Sequence, residues 1–175
     1  MKINNLTLIN YRRFEHQSFV FNDHFTVLIG DNATGKTQVL QAIVTLLSQY
    51  QSKMLRNAEN DIEIEEKDVH HESLVFDNQN GRHQLRMEYS YPAIISAKIN
   101  NGNVFCRKDD ATMANVRDSY LMRKAEENLN HIKEGITLPV LAYYGTSRLW
   151  NKNNKSKEGI PLQNRRISLV FRRLR

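Results

Sequence analysis

Phe25-Thr26-Val27-Leu28-Ile29-Gly30-Asp31-Asn32-Ala33-Thr34-Gly35-Lys36-Thr37-Gln38-Val39-Leu40 is the stretch that decides the fold of this chain. Its first five residues form a short, β-branched, almost wholly apolar run, the pattern of a strand buried on both faces in a parallel sheet. Residues 30–37 break that pattern and match G-x-x-x-x-G-K-[ST] in full. Beyond them Val39, Leu40, Ile43, Leu46 and Leu47 recur at i, i+1, i+4, i+7 and i+8, one face of a helix over about 36–50. Strand, glycine loop and helix are the setting that a P-loop, or Walker A motif, requires. Its glycines let the backbone approach phosphate oxygens with no Cβ in the way. Successive N–H groups, backed by the helix N-terminus, make a concave anion site. Gly30, Asp31, Asn32, Ala33, Thr34 and Gly35 are therefore expected to wrap the phosphates of ATP. Lys36 should reach the β- and γ-phosphates and Thr37 should place its hydroxyl on Mg2+. Gln38, directly after the loop, joins the expected nucleotide-contacting set.

Working outward, the 175 residues suffice for one domain with a sizeable core. An apolar fraction of 40% and a charged fraction of 25% are ordinary for a globular protein. No apolar run approaches the roughly 20 residues of a membrane helix, and the N-terminus lacks the apolar stretch of a signal peptide. The single cysteine, Cys106, excludes an internal disulfide framework and a multi-cysteine zinc site. A reduced, cytoplasmic setting without membrane partners is the expectation. The net charge of +6 is concentrated at one end. Residues 148–175 carry nine basic side chains and one acidic one, Glu158, so the body before them is nearly neutral. The overall basicity thus says little about the body's partners.

Residues 2–9 alternate Ile3, Leu6 and Leu8 with polar neighbours and read as a strand, interrupted by Tyr11-Arg12-Arg13-Phe14; residues 18–21 read as a second. The acidic stretch 57–72 reads as a solvated loop. His70 and His71 raise a metal site as the alternative, but adjacent residues point in different directions and nothing nearby in the sequence completes a ligand set. Strands are expected at 73–76, 83–90, 93–99 and 104–107, with hairpin turns at 78–81 and 100–103. Together they predict an antiparallel meander inserted after the P-loop helix. Residues 113–134 read as a helix with Met113, Val116, Tyr120, Leu121, Ala125, Leu129 and Ile132 on its apolar side and Gly135 as its stop. Leu138-Pro139-Val140-Leu141-Ala142-Tyr143-Tyr144 reads as a further buried strand, and 151–157 as a loop.

Two constellations carry a family resemblance. Asn10-Tyr11-Arg12-Arg13-Phe14 between two strands, followed by Gly30-Asp31-Asn32 at the head of the loop, resembles the opening of the RecF/SMC-like branch of ABC-type ATPases. Those proteins begin with a strand, an N-[FY]-[RK]-x-[FY]-like turn, a return strand and a loop of the form G-x-N-x-x-G-K-[ST]. Residues 138–150, ending Gly145-Thr146-Ser147-Arg148-Leu149-Trp150, resemble bacterial AAA-type ATP-binding proteins associated with virulence or phage defence. The resemblance covers residues 1–150. It implies an α/β P-loop NTPase lobe of ABC type, and one basic residue of the 10–14 turn, Arg13, reaching towards the nucleotide phosphates.

The chain departs from that pattern at its C-terminal side. A complete ABC-type domain adds a signature helix and a Walker B strand ending in Asp-Glu. Leu74-Val75-Phe76-Asp77 has the outline of the latter, but it lies about 40 residues after the loop, ends in Asp77-Asn78 and precedes a hairpin turn. It reads as a strand of the meander. The expected architecture is the N-terminal part of an ATPase domain over 1–150, incomplete at its C-terminus, followed by a basic tail over 151–175, looped or disordered. The buried-type strand 25–29 is then left with an unpaired edge, which invites self-association or a second ATPase half. The tail is expected either to bind nucleic acid nonspecifically or to have no partner. Two other functions stay open: a small P-loop phosphotransferase, with Asp77 as its one candidate carboxylate, and a non-catalytic nucleotide-binding regulator.

Overall fold

The computed structural model describes residues 1–56, 61–77, 83–134, 138–139 and 141–145. The chain divides into two compact units, Met1–Ile136 and Thr137–Arg175. The first unit opens with β1 (Ile3–Tyr11) and β2 (Phe14–Val20), followed by the helix α1 (Lys36–Leu55). Next come β3 (His71–Asp77), β4 (His83–Tyr89), β5 (Ala93–Ile99), β6 (Gly102–Lys108), the short β7 (Val116–Arg117) and the helix α2 (Tyr120–Asn130).

The main sheet has the order β2-β1-β5-β6-β7, and each neighbouring pair in it is antiparallel. Its register follows the period-two alternation of the sequence. Leu6 faces Ala97 and Leu8 faces Ile95 across β1 and β5, while Ile95 faces Cys106 and Ala97 faces Val104 across β5 and β6. All of these side chains are buried, so the apolar positions form cross-strand rows on one face. Cys106 is one of them, and its burial pushes the thiol pKa up, so it packs as a small apolar side chain.

α1 packs its Val39, Ala42, Leu46, Leu47 and Tyr50 into this core. The buried stripe is rotated from the one expected, since Leu40 is 43% exposed and Ala42 and Tyr50 take its place. The helix also runs to Leu55, where Arg56 in a left-handed conformation donates its N–H back to the carbonyls of Ser52 and Lys53. Asn128 of α2 donates to the Tyr50 hydroxyl at 2.8 Å, tying the two helices together.

Four expectations about strands and helices are corrected. Residues 25–29 form no strand: they join neither sheet among the described residues, and Phe25, Val27 and Ile29 are 77%, 58% and 91% exposed. An apolar run with no partner strand beside it has no ladder in which to satisfy its amides. The meander is not one sheet either. β3 and β4 form a separate two-stranded sheet, whereas β5 and β6 join β1. Pro92, which has no N–H, stands at the break, and its carbonyl accepts from Asn10 Nδ2 at 3.1 Å.

The expected helix 113–134 begins only at Tyr120. The Asp110 carboxylate accepts from the Thr112 N–H and hydroxyl and from the Met113 N–H, a turn that holds its pKa below the usual carboxylate value and keeps Met113 out of a helix. Val116 and Arg117 pair with β6 instead, and the Asp118 carboxylate accepts the Tyr120 N–H at 2.6 Å where α2 starts. Finally, the described residues of the 138–144 segment, Leu138, Pro139 and Leu141 to Tyr144, are in no strand. The turn at 78–81, the helix stop at Gly135 and the tail 151–175 lie outside the described residues.

The acidic stretch is also more than a solvated loop. Asp61 pairs with Arg117, whose side chain is 9% exposed. Asp68 ends a single 3-10 turn, Glu66–Asp68, and its side chain is only 9% exposed. There Arg12 donates to it from Nε at 2.9 Å and Nη2 at 2.6 Å, while Arg12 Nη1 donates to Gln41 of α1 at 2.5 Å. Replacing Arg12 with alanine strands the Asp68 carboxylate and is expected to cost about 2–3 kcal/mol of stability, less than for a fully buried pair because Arg12 retains some solvent contact. Urea denaturation checks this, and a loss below about 0.5 kcal/mol would mean that the pair is solvated.

Candidate functional site

Residues 30–37 lie directly before and within the first turn of α1. The chain needs unusual backbone angles there, with φ of 159° at Gly30, 64° at Ala33 and 97° at Gly35. The left-handed values at Ala33 and Gly35 curl the loop back towards the helix axis. Gly35 caps α1 without any side-chain hydrogen bond, and the first turn of the helix contains no acidic residue. The helix N-terminus therefore keeps N–H groups that no side chain satisfies.

Lys36 folds into the loop. Its ammonium donates to the Gly30 carbonyl at 2.7 Å, to the Asp31 carbonyl at 2.5 Å and to the Thr34 hydroxyl at 3.3 Å. Thr34 closes the ring by donating from its hydroxyl to the Asp31 carbonyl at 2.9 Å and from its N–H at 3.4 Å. Asp31, Asn32, Ala33 and Thr34 are exposed, whereas Lys36, Thr37 and Gln38 are half-buried. A cation thus sits among neutral oxygens at the positive end of a helix, open to solvent on its outer side.

Arg13 is brought to the same place from the β1–β2 turn. Its guanidinium donates from Nη1 to the Ala33 carbonyl, and its N–H donates to Gln38 Oε1 at 3.5 Å. Sequence reasoning placed Arg13 near the loop by resemblance, and here the two meet. What it missed is the support behind them: Arg12 and Asp68 line, together with the expected Gln38, an open cleft of about 550 Å3 that continues to His70. Asp68 lies over 50 residues from Arg12, and no local spacing signals the pairing.

A helix N-terminus with no acidic residue in its first turn, a loop wound by left-handed residues and a lysine held within it make a site that can receive an anion. The AAA ATPase domain family matches residues 1–168, and the chain belongs to that family. The chain is also similar to "DNA replication and repair protein RecF" of Geobacillus thermodenitrificans, 44% identical over 46 residues, which are 26% of this chain and 12% of that protein. RecF of Bacillus subtilis gives the same identity and coverage. RecF of Ruminiclostridium cellulolyticum is 37% identical over 59 residues, 34% of this chain and 16% of that protein. The match therefore spans well under a fifth of these relatives' length. It bears out the resemblance to the RecF/SMC-like branch. Among the described residues no helix is long and apolar enough to cross a membrane.

Gly35 is the position where this geometry tolerates least. A Cβ there would lie 2.6 Å from Phe14 Cζ and 2.7 Å from Arg13 Cδ, on a backbone at φ 97°. Gly35→Ala should cost about 1–3 kcal/mol through left-handed strain and displacement of those two side chains. Its denaturation midpoint in urea should fall accordingly, and an unchanged midpoint would show that the turn and the loop are not packed together.

Proposed function

We propose that residues 30–37 bind Mg-ATP, as part of the N-terminal lobe of a RecF/SMC-like ATPase, and that this chain alone turns ATP over very slowly. The observation that carries the reading is Lys36, held inside the loop at a helix N-terminus with no capping side chain and no acidic residue in the first helical turn. A polyphosphate entering the loop would exchange the neutral acceptors around the ammonium for anionic ones, a stronger set of hydrogen bonds. The free N–H groups of the loop and of the first helical turn would take the remaining oxygens. Arg13 is poised to add a second cation at Ala33.

The hydroxyl of Thr37 is a hard oxygen donor one residue beyond Lys36. It suits Mg2+, which takes few protein ligands and completes its shell with water and phosphate oxygens. Bound there, the ion would neutralise charge on the phosphates. Binding of this kind holds the ground state. Hydrolysis further requires a carboxylate that orients water and charge-stabilising contacts on the transferring phosphoryl group. Asp77 is a poor source of the former, because its strand pairs with β4 in the separate hairpin. That pairing also weighs against the phosphotransferase, which needs a carboxylate after a second parallel strand; the strand pairings described are antiparallel.

For partners, the exposed run 25–29 favours a second ATPase half or a second copy. The basic segment 148–175 would add a nonspecific, salt-sensitive contact to nucleic acid. A role in phage defence rests on the resemblance of residues 138–150.

Lys36→Ala should weaken Mg-ATP binding at least about tenfold, or ~1.4 kcal/mol, by calorimetry, and equal affinities would overturn the proposal. In the same preparation, turnover should stay far below about 1 per second. Robust turnover that vanishes with Lys36→Ala would instead favour the phosphotransferase. For nucleic acid, a chain ending at Trp150 should lose the DNA affinity seen by anisotropy at low salt; retained affinity would move that contact to the ATPase lobe.

A further inference from the structure

His70 is fixed from several sides. Its N–H donates to the Asn10 carbonyl at 2.8 Å, and its own carbonyl accepts from the Ser90 N–H at 2.8 Å. Its Nδ1 lies 2.6 Å from the Arg12 carbonyl. A carbonyl only accepts, so Nδ1 carries the proton and donates, which leaves the lone pair of the neutral ring on Nε2. That Nε2 is closed off from solvent and has no hydrogen-bond partner. Two carboxylates lie near the ring. Glu15 Oε1 is 4.0 Å away, and Glu72 supplies the other; one ligand atom from each of the three side chains lies within 4.8 Å of the others.

We propose that Glu15, His70 and Glu72 form a binding site for a single Zn2+ ion, with a fourth position open to water. A histidine that donates one ring nitrogen to a backbone carbonyl and presents the other to anionic oxygens has the arrangement of a metal ligand held by its outer shell. One imidazole nitrogen with two carboxylates is a mixed donor set that Zn2+ accepts and that the all-oxygen cations Ca2+ and Mg2+ do not favour. Two carboxylates balance the ion's charge. Zinc bonds of about 2.0–2.2 Å place tetrahedral ligand atoms about 3.3 Å apart, so the oxygens must close by roughly 1 Å. Glu15, whose side chain is 77% exposed, and Glu72, also exposed, are free to do so around the anchored imidazole.

The site uses none of the residues assigned to nucleotide and is tested without it. Calorimetric titration of ZnCl2 into the chelator-treated full chain at neutral pH should show one ion per chain. His70→Ala and the double variant Glu15→Gln/Glu72→Gln should each weaken that binding by about tenfold or more, while His71→Ala should leave it unchanged. The double variant alters only exposed side chains, so its thermal melting curve should match the wild type and its loss of zinc would report ligation. Absence of zinc uptake by the wild type, undiminished uptake by the double variant, or loss on His71→Ala in place of His70→Ala would each overturn the site.

Discussion

Arg12 sits at φ 52°, a conformation that a long side chain adopts only when its surroundings hold it there. They do so through five hydrogen bonds. Its N–H donates to the Asp68 carbonyl at 2.7 Å, its guanidinium spans the Asp68 carboxylate and Gln41, and its carbonyl takes the proton of His70. A single residue thus joins the β1–β2 turn, α1 and the segment entering β3. Just upstream, Tyr11 is wholly buried and bridges to Val69. Burial also pushes its phenol pKa well up, so the ring stays neutral beside the guanidinium that lies over it.

The position of Arg13 follows from that knot. With Arg12 pinned inward, the next residue turns outward, and it meets the loop at Ala33 instead of bulk water. Phe14 then closes on Gly35 and packs edge-on against Phe19 of β2. The loop is thereby attached to the sheet through side chains of a turn. Residues 25–29, which lead into it, contribute no ladder.

The elements that were legible in the sequence are those whose information is local. β1, β5 and β6 alternate apolar and polar residues on a two-residue period, and α1 follows an unmistakable glycine loop. β7 and the late start of α2 were not legible, because the Asp110 turn and the pairing of Val116 and Arg117 with β6 override the helical propensity of 113–119. The site divides in the same way. Lys36 and Thr37 were named by motif, and Arg13 by resemblance. The ion pair between Arg12 and Asp68 and the meeting of Glu15 with His70 bring together residues more than 50 positions apart, so they exist only once the sheets are folded. The error at 25–29 is instructive: composition reports what a segment would bury, while burial itself needs a neighbour.

A partner on that segment would set a thermodynamic linkage. Phe25, Val27 and Ile29 stand largely in water, and Ile29 is covalently joined to Gly30, whose carbonyl helps hold Lys36. Any chain that pairs with this run would bury those side chains and fix the backbone at the mouth of the loop in the same event. The entropy of ordering the entrance would then already be spent when a ligand arrives. By reciprocity, a ligand that orders the entrance would strengthen the pairing by the same factor. Assembly and occupancy of the loop would therefore be two readouts of one equilibrium, with affinity measured at one protein concentration differing from affinity measured at another.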